Sequence, residues 1–188
     1  MLTDQFNRTH TYLRISLTDK CNLRCTYCNP VDLPKGYFSK ANKMSADEID
    51  TIAGVFVKEG IKKLRLTGGE PLVRKDVREI IQRLSKYPVE LTITTNGVFV
   101  HEYIDTFREA GIRSLNVSLD TMDSKKNQLI TGRDEFERVK QNIDLLLENN
   151  FHVKINTVIM KGVNEREVID FVEWTKSNPV EVRFIEFM

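Results

Sequence analysis

The chain has 188 residues, with 28 Lys and Arg against 27 Asp and Glu, so its formal charge at pH 7 is +1. Hydrophobic residues make up 40% and charged residues 29%, which excludes a disordered chain and argues against a general nucleic-acid binder, a class that carries a basic excess. No apolar run reaches the roughly 20 residues of a membrane helix, and residues 1–10 are polar, without a signal-peptide core; one soluble, cytoplasmic domain is expected.

Residues 12–17 alternate Leu13, Ile15 and Leu17 with Tyr12, Arg14 and Ser16, the period-two pattern of a strand with one apolar face. A long irregular segment, 20–44, follows. It carries all three cysteines, Pro30, Pro34 and Gly36, and a loop of that length is commonly functional. Ser45 with Glu48 forms a capping box before the helical stripe Ile49, Ile52, Ala53, Phe56 and Val57, and Gly60 ends it. A second strand, 62–67, turns Leu64 and Leu66 to one side. Asp76 opens a helix with Val77, Ile80, Ile81 and Leu84, closed before Pro88. A third strand at 90–95 precedes a helix with Ile104, Phe107 and Ala110, then Gly111. A fourth at 113–119 precedes a helix with Phe136, Val139, Ile143, Leu146 and Leu147. A fifth at 152–159 precedes a helix with Val168, Ile169, Val172 and Trp174. A sixth strand lies at 180–185.

Repeated strand–helix units with short connections imply parallel strands and right-handed crossovers. Parallel strands covered on both faces read as continuous apolar runs, yet all six alternate here. The fold expected is α/β, a barrel or part-barrel whose concave side is a polar cavity; an open antiparallel sheet is the rival. That concave side holds Arg14, Lys63, Arg65, Lys154 and Arg183 against Glu181, which suits an anionic ligand such as a phosphate ester. Lys63, at a strand start, has the plainer alternative of a solvated position at the barrel bottom.

The cysteines form Cys21-Asn-Leu-Arg-Cys25-Thr-Tyr-Cys28. An odd, tightly clustered set is a poor disulfide framework, and free thiols fit a reducing compartment. Three thiolates hold three irons of a cubane and leave the fourth open, whereas four-cysteine clusters serve electron transfer. Zinc is the alternative, but it usually takes a fourth ligand. Three further motifs end strands: Thr67-Gly68-Gly69-Glu70-Pro71, Thr94-Thr95-Asn96-Gly97 and Asn116-Val117-Ser118-Leu119-Asp120. Each alone is a turn signal; together they occupy the strand ends where βα barrels build their sites.

These segments, with Val153-Lys-Ile-Asn156 and Val182-Arg-Phe-Ile-Glu-Phe-Met188, span nearly the whole chain. The sequence resembles the radical S-adenosylmethionine (SAM) superfamily, and within it the GTP cyclases that start molybdenum-cofactor biosynthesis. The resemblance implies a partial (βα)6 TIM-like barrel. It implies a [4Fe–4S] cluster on Cys21, Cys25 and Cys28 whose free iron binds SAM. Tyr27 and Met188 would meet the adenine of SAM. Gly69 would hold its methionyl end, with Gly68 and Glu70 nearby, and Ser118 its ribose or carboxylate region. Arg14, Arg65, Thr94, Lys154 and Arg183 would face GTP. A 5′-deoxyadenosyl radical would abstract hydrogen from the GTP ribose, whose carbon would attack guanine C8 to give 3′,8-cyclo-7,8-dihydro-GTP, a lyase reaction with no catalytic residue beyond the cluster-bound SAM.

Family members continue past this position with a second [4Fe–4S] cluster on three more cysteines and a Gly-Gly tail. Residues 1–188 therefore read as one core domain cut before a second-cluster domain. Asn29 stands where methionine is usual in the family. The partners expected are GTP, a reductant protein the sequence does not name, and a homodimer mate, with neither nucleic acid nor membrane. Two other readings stay open: another radical SAM enzyme, such as a peptide-modifying one, and a non-enzymatic iron–sulfur or zinc module.

Overall fold

The computed structural model describes residues 2–28 and 43–187. Six strands form one sheet: β1 Tyr12–Ser16, β2 Lys63–Thr67, β3 Glu90–Thr95, β4 Ser114–Ser118, β5 His152–Ile159 and β6 Val180–Glu186. They lie in sequence order, and every neighbouring pair is parallel. The helices are α1 Ala46–Lys58, α2 Val77–Leu84, α3 Ile104–Glu109, α4 Ser124–Thr131, α5 Phe136–Glu148 and α6 Val168–Ser177. β1 and β6 are the two edges, so the sheet is an open part-barrel.

Strand alternation sorts the faces. Ile15, Leu64, Leu66, Ile93, Leu115, Val117, Val153 and Ile155 are buried in one core with Ile49, Ile80, Ile81, Phe107, Ile143, Leu146 and Phe171 from the helices. The pleat turns the intervening residues the other way. Register sets them in rows: Arg14 beside Arg65 and Thr92, Thr94 beside Asn116, Lys154 and Glu181, and Ser118 beside Asn156 and Arg183.

Local chemistry sets the boundaries. Ser45 and Glu48 make the reciprocal bonds of the capping box, a device worth about 1 kcal/mol. Asp76 stands at the N-cap position just before α2, but its side chain caps nothing; its carboxylate pairs with Arg74 instead. α4 has no counterpart in the periodic reading, because its apolar content is slight and Leu129 is 77% exposed. Its signals are terminal: Asp123 accepts from Lys126 N at 2.8 Å, and Gly132, at φ 69°, closes it.

The charge inventory of the concave face needs one correction. Glu90 also lies there, and Lys63 pairs with it at 2.6 Å at the strand starts. Glu181 takes Lys154 at 2.9 Å and Arg183 at 3.5 Å. Among the described residues, Arg14 and Arg65 are the cations of this face that form no ion pair. Asn29, Pro30, Pro34, Gly36 and Met188 lie outside the described residues.

Candidate active site

The backbone after β1 stays paired with the backbone after β2. Leu17 N donates to Thr67 O at 2.8 Å, Gly69 N to Thr18 O at 2.6 Å and Glu70 N to Lys20 O at 2.8 Å. This extension delivers Cys21 to the strand ends. It also accounts for the paired glycines: a Cβ on Gly68 would lie 2.4 Å from Thr18 O, and one on Gly69 would lie 2.4 Å from Lys20 O. Gly68 further holds φ at 144°, which favours glycine. Both glycines line the cavity that faces the cysteines.

Glu70 does not line that cavity. It is 1% exposed. Its Oε1 accepts from Leu72 N at 3.0 Å and Thr95 Oγ1 at 2.8 Å, and its Oε2 from Asn96 N at 2.6 Å. Burial pushes the carboxyl up to about 7 against these three donated bonds. Glu70 is thus a brace between the β2 and β3 ends.

Cys21, Cys25 and Cys28 are free thiols that line one cavity of about 270 Å3 together with Thr94, Asn96 and Ser118. Leu23 N donates to Cys21 Sγ at 3.4 Å, and the Asn96 side-chain amide reaches it at 3.8 Å. Burial raises the Cys21 thiol, and burial with Asp120 and the other two cysteines pushes Cys25 up to about 12. The site therefore favours protonated thiols on its own, and a metal group bound through these sulfurs has to displace their protons. Among the described residues, no three His, Cys, Asp or Glu side chains converge as a single metal ion needs. Three free thiols facing one cavity form the donor set that an iron–sulfur cluster takes.

The cysteine turn is held from two further sides. Arg24 N donates to Thr131 O at 2.8 Å and Thr26 N to Ile130 O at 2.9 Å, so α4 is its platform. Tyr27 donates its hydroxyl to Asp120 Oδ2 at 2.7 Å, and its ring meets Phe187 edge-on at 6.4 Å. Asp120 is 4% exposed, its other oxygen accepts from Val158 N at 2.8 Å, and burial raises its carboxyl. Tyr27 also borders a second cavity of about 730 Å3, lined by Met160, Val163, Phe184 and Phe187 among others.

Below the cysteines lies the cationic wall. Arg65 is 7% exposed; its Nη1 reaches Thr94 Oγ1 at 3.4 Å, and its buried Nε has no partner among the described residues. Burial and the nearby Arg14 and Arg183 charges lower its proton affinity, and the charges of the Tyr12 oxygen and Glu90 offset part of this. The Arg14 and Arg65 guanidinium carbons each lie 5.5 Å from the Tyr12 ring centre. Tyr12 is thus a shared aromatic platform for two cations. Arg14 Nε also donates to the Tyr12 hydroxyl at 3.1 Å. Lys154 and Arg183, drawn to Glu181, lie further round the sheet.

Sequence reasoning missed Tyr12, Asn96 and Asp120 as functional positions. Asn96 and Asp120 lay inside quoted motifs; their roles depend on partners 75 and 93 residues away, which no local pattern reveals. It also missed Arg74. The buried Arg74 guanidinium donates to Leu17 O and Met44 O, both at 2.7 Å, and pairs with Asp76 at 2.7 Å. It fastens both roots of the cysteine-bearing segment.

Comparison with known proteins agrees with this geometry. Residues 15–175 match the family profile described as the Radical SAM superfamily. The chain is 50% identical over 192 residues to molybdenum cofactor biosynthesis protein 1 of Dictyostelium discoideum, covering all of this chain and 30% of that protein. It is 49% identical over 194 residues to the mitochondrial GTP 3′,8-cyclase of Arabidopsis thaliana, covering all of this chain and 49% of that enzyme. The chain thus spans less than half the length of these relatives. Among solved structures, Streptococcus suis SuiB bound to S-adenosylmethionine superposes with a TM-score of 0.80 at 21% identity, over 95% of this chain and 41% of SuiB; this supports the fold.

Proposed function

The chain belongs to the radical SAM superfamily, whose cofactors are a [4Fe–4S] cluster and S-adenosylmethionine, and we propose that it is the catalytic core of a GTP 3′,8-cyclase of molybdenum-cofactor biosynthesis. The observation that carries this reading is one wall serving two sites. The strand ends that present three thiols and a Gly-Gly turn also continue into Arg65 and Arg14, two cations without acid partners among the described residues. Whole-chain identities of 43–50% to proteins named for that pathway support it.

The roles follow from placement. Cys21, Cys25 and Cys28 hold the cluster. Gly68 and Gly69 bring backbone to the cavity where the methionyl end of SAM is read, and Ser118 lines the same cavity for its ribose or carboxylate region. Tyr27 and the neighbouring apolar cavity suit the adenine. Arg14, Arg65 and Thr94 take the triphosphate and sugar side, with Lys154 and Arg183, paired to Glu181, further round the same face. The cluster and SAM, when bound, supply the reducing electron and the carbon-centred radical with which the chemistry starts. The protein positions the sugar against that centre and excludes water.

Among the described residues, no helix is long and apolar enough to cross a membrane, and three clustered free thiols fit a reducing compartment, which we read as cytoplasm. The test begins with anaerobic reconstitution: SAM should perturb the cluster's electron paramagnetic resonance spectrum, and an unperturbed spectrum sinks the cofactor assignment. GTP turnover by the full chain then separates a cyclase from a peptide-modifying relative. Arg65→Ala should weaken GTP binding by about tenfold or more, the order expected for one charge-assisted contact; unchanged affinity overturns its role.

A further inference from the structure

Among the described residues, two polar atoms of the barrel wall are buried without a hydrogen-bond partner: Arg65 Nε, a donor, and Asn116 Oδ1, an acceptor. Folded proteins keep few such atoms, because each loses water and gains nothing in return. Asn116 is 2% exposed. Its neighbours Leu115 and Val117 both face the apolar core, so the pleat turns Asn116 to the concave side. There it stands level with Thr94 on β3 and Lys154 on β5. It is two residues before Ser118, which lines the thiol cavity. Thr94 in turn receives Arg65 Nη1. The two residues that carry the orphaned atoms thus stand on the strands either side of Thr94, a cationic donor on β2 and a neutral acceptor on β4.

A simple anion satisfies the first atom and repels the second. A ligand that satisfies both carries anionic oxygens and, a few ångströms away, a hydroxyl that donates: a phosphorylated sugar. An amide suits that acceptor position better than a carboxylate, since it presents an oxygen without repelling the phosphates. We propose that Asn116 is a specificity-determining residue that accepts a hydrogen bond from a ribose hydroxyl of the nucleotide whose phosphates lie on the Arg65 side. This rests on the nucleotide reading above and adds to it the orientation of the sugar beneath Ser118.

The test is equilibrium binding of GTP, 2′-deoxy-GTP and 3′-deoxy-GTP to the anaerobically reconstituted full chain. The wild type should bind GTP about tenfold tighter than one of the two analogues. Asn116→Ala should lose about that factor for GTP and none for that analogue. Without ligand it should melt no lower than the wild type, because it removes an unsatisfied buried acceptor; a purely structural asparagine would lower the melting temperature. Asn116→Asp keeps shape and acceptor, so it should still discriminate although all three nucleotides bind more weakly. If Asn116→Ala discriminates as the wild type does, or Asn116→Asp stops discriminating, the assignment fails. If in the same series Arg65→Ala still weakens GTP binding, the nucleotide reading survives that failure. A wild-type chain that binds no GTP overturns both.

Discussion

The Tyr27 hydroxyl donates to Asp120 Oδ2 at 2.7 Å, which ties the cysteine turn to the end of β4 across 93 residues. The bond puts one aromatic ring at the border of both cavities. Tyr27→Phe leaves a buried carboxylate with one donor fewer. It should cost about 1–3 kcal/mol in denaturant unfolding of the cluster-free protein. A stability equal to wild type would show that this bond does not hold the turn.

Gly69 lies against the backbone that leads to Cys21. A methyl group there meets Lys20 O at 2.4 Å, and the obstacle is backbone rather than a flexible side chain. Gly69→Ala should cost at least about 1–3 kcal/mol. It should also lower the iron retained after reconstitution, because the turn that aims Cys21 must shift. Wild-type iron content would refute the link between the glycine and the cysteine.

Arg74 joins Leu17 O, Met44 O and Asp76. Arg74→Met keeps the stem and removes every bond. The expected loss is about 3–5 kcal/mol, the order for breaking a buried charge pair with its hydrogen bonds. Limited proteolysis should speed up within the segment between those two roots. The acid side has a defined sign: the Arg74 hydrogen bond holds the Asp76 carboxyl down at about 2, so its stabilisation is full above the ordinary 3.8 and is lost as pH falls toward 2. Asp76→Asn should be the less stable protein at neutral pH, with the gap closing below about pH 3. A gap that does not depend on pH would remove the ion pair from the account.

Glu70 works in the opposite direction. Burial raises its carboxyl from 4.5 to about 7, so the folded chain holds a proton that the unfolded chain has released. Stability from this group falls as pH rises between those values. Set against Glu70→Gln, the wild type should lose up to about 3 kcal/mol of relative stability between pH 4.5 and 7. Thermal melts across that range check it. Parallel curves would mean that the three donated bonds keep Glu70 ionised throughout.

Most of the architecture is legible in the chain order of its elements. Alternating Leu64 and Leu66 with Lys63 and Arg65 settles which face each side chain takes, since a strand has only two. The capping box at Ser45 and the left-handed Gly60 mark the two ends of α1 by local backbone chemistry. α4 escaped the stripe criterion because a short helix that supports a loop through its carbonyls has little need of an apolar face. The cysteine triple was legible because three like residues at fixed spacing are a local fact. The partners of Asp120, Asn96 and Arg74 were not, because each bond joins segments that only folding brings together.

The sequence by itself determined the parallel strand order, the polar concave face and the three-thiol donor set, all consequences of short-range periodicity and residue type. Tertiary structure alone decided which of those polar groups are free to act. It paired Lys63 with Glu90, shared Glu181 between Lys154 and Arg183, and turned Glu70 into a brace. It left Arg65 and Asn116 with buried, unpartnered atoms. Whether a charge or an amide is satisfied depends on its neighbours in space, and that is what a linear reading of the chain does not contain.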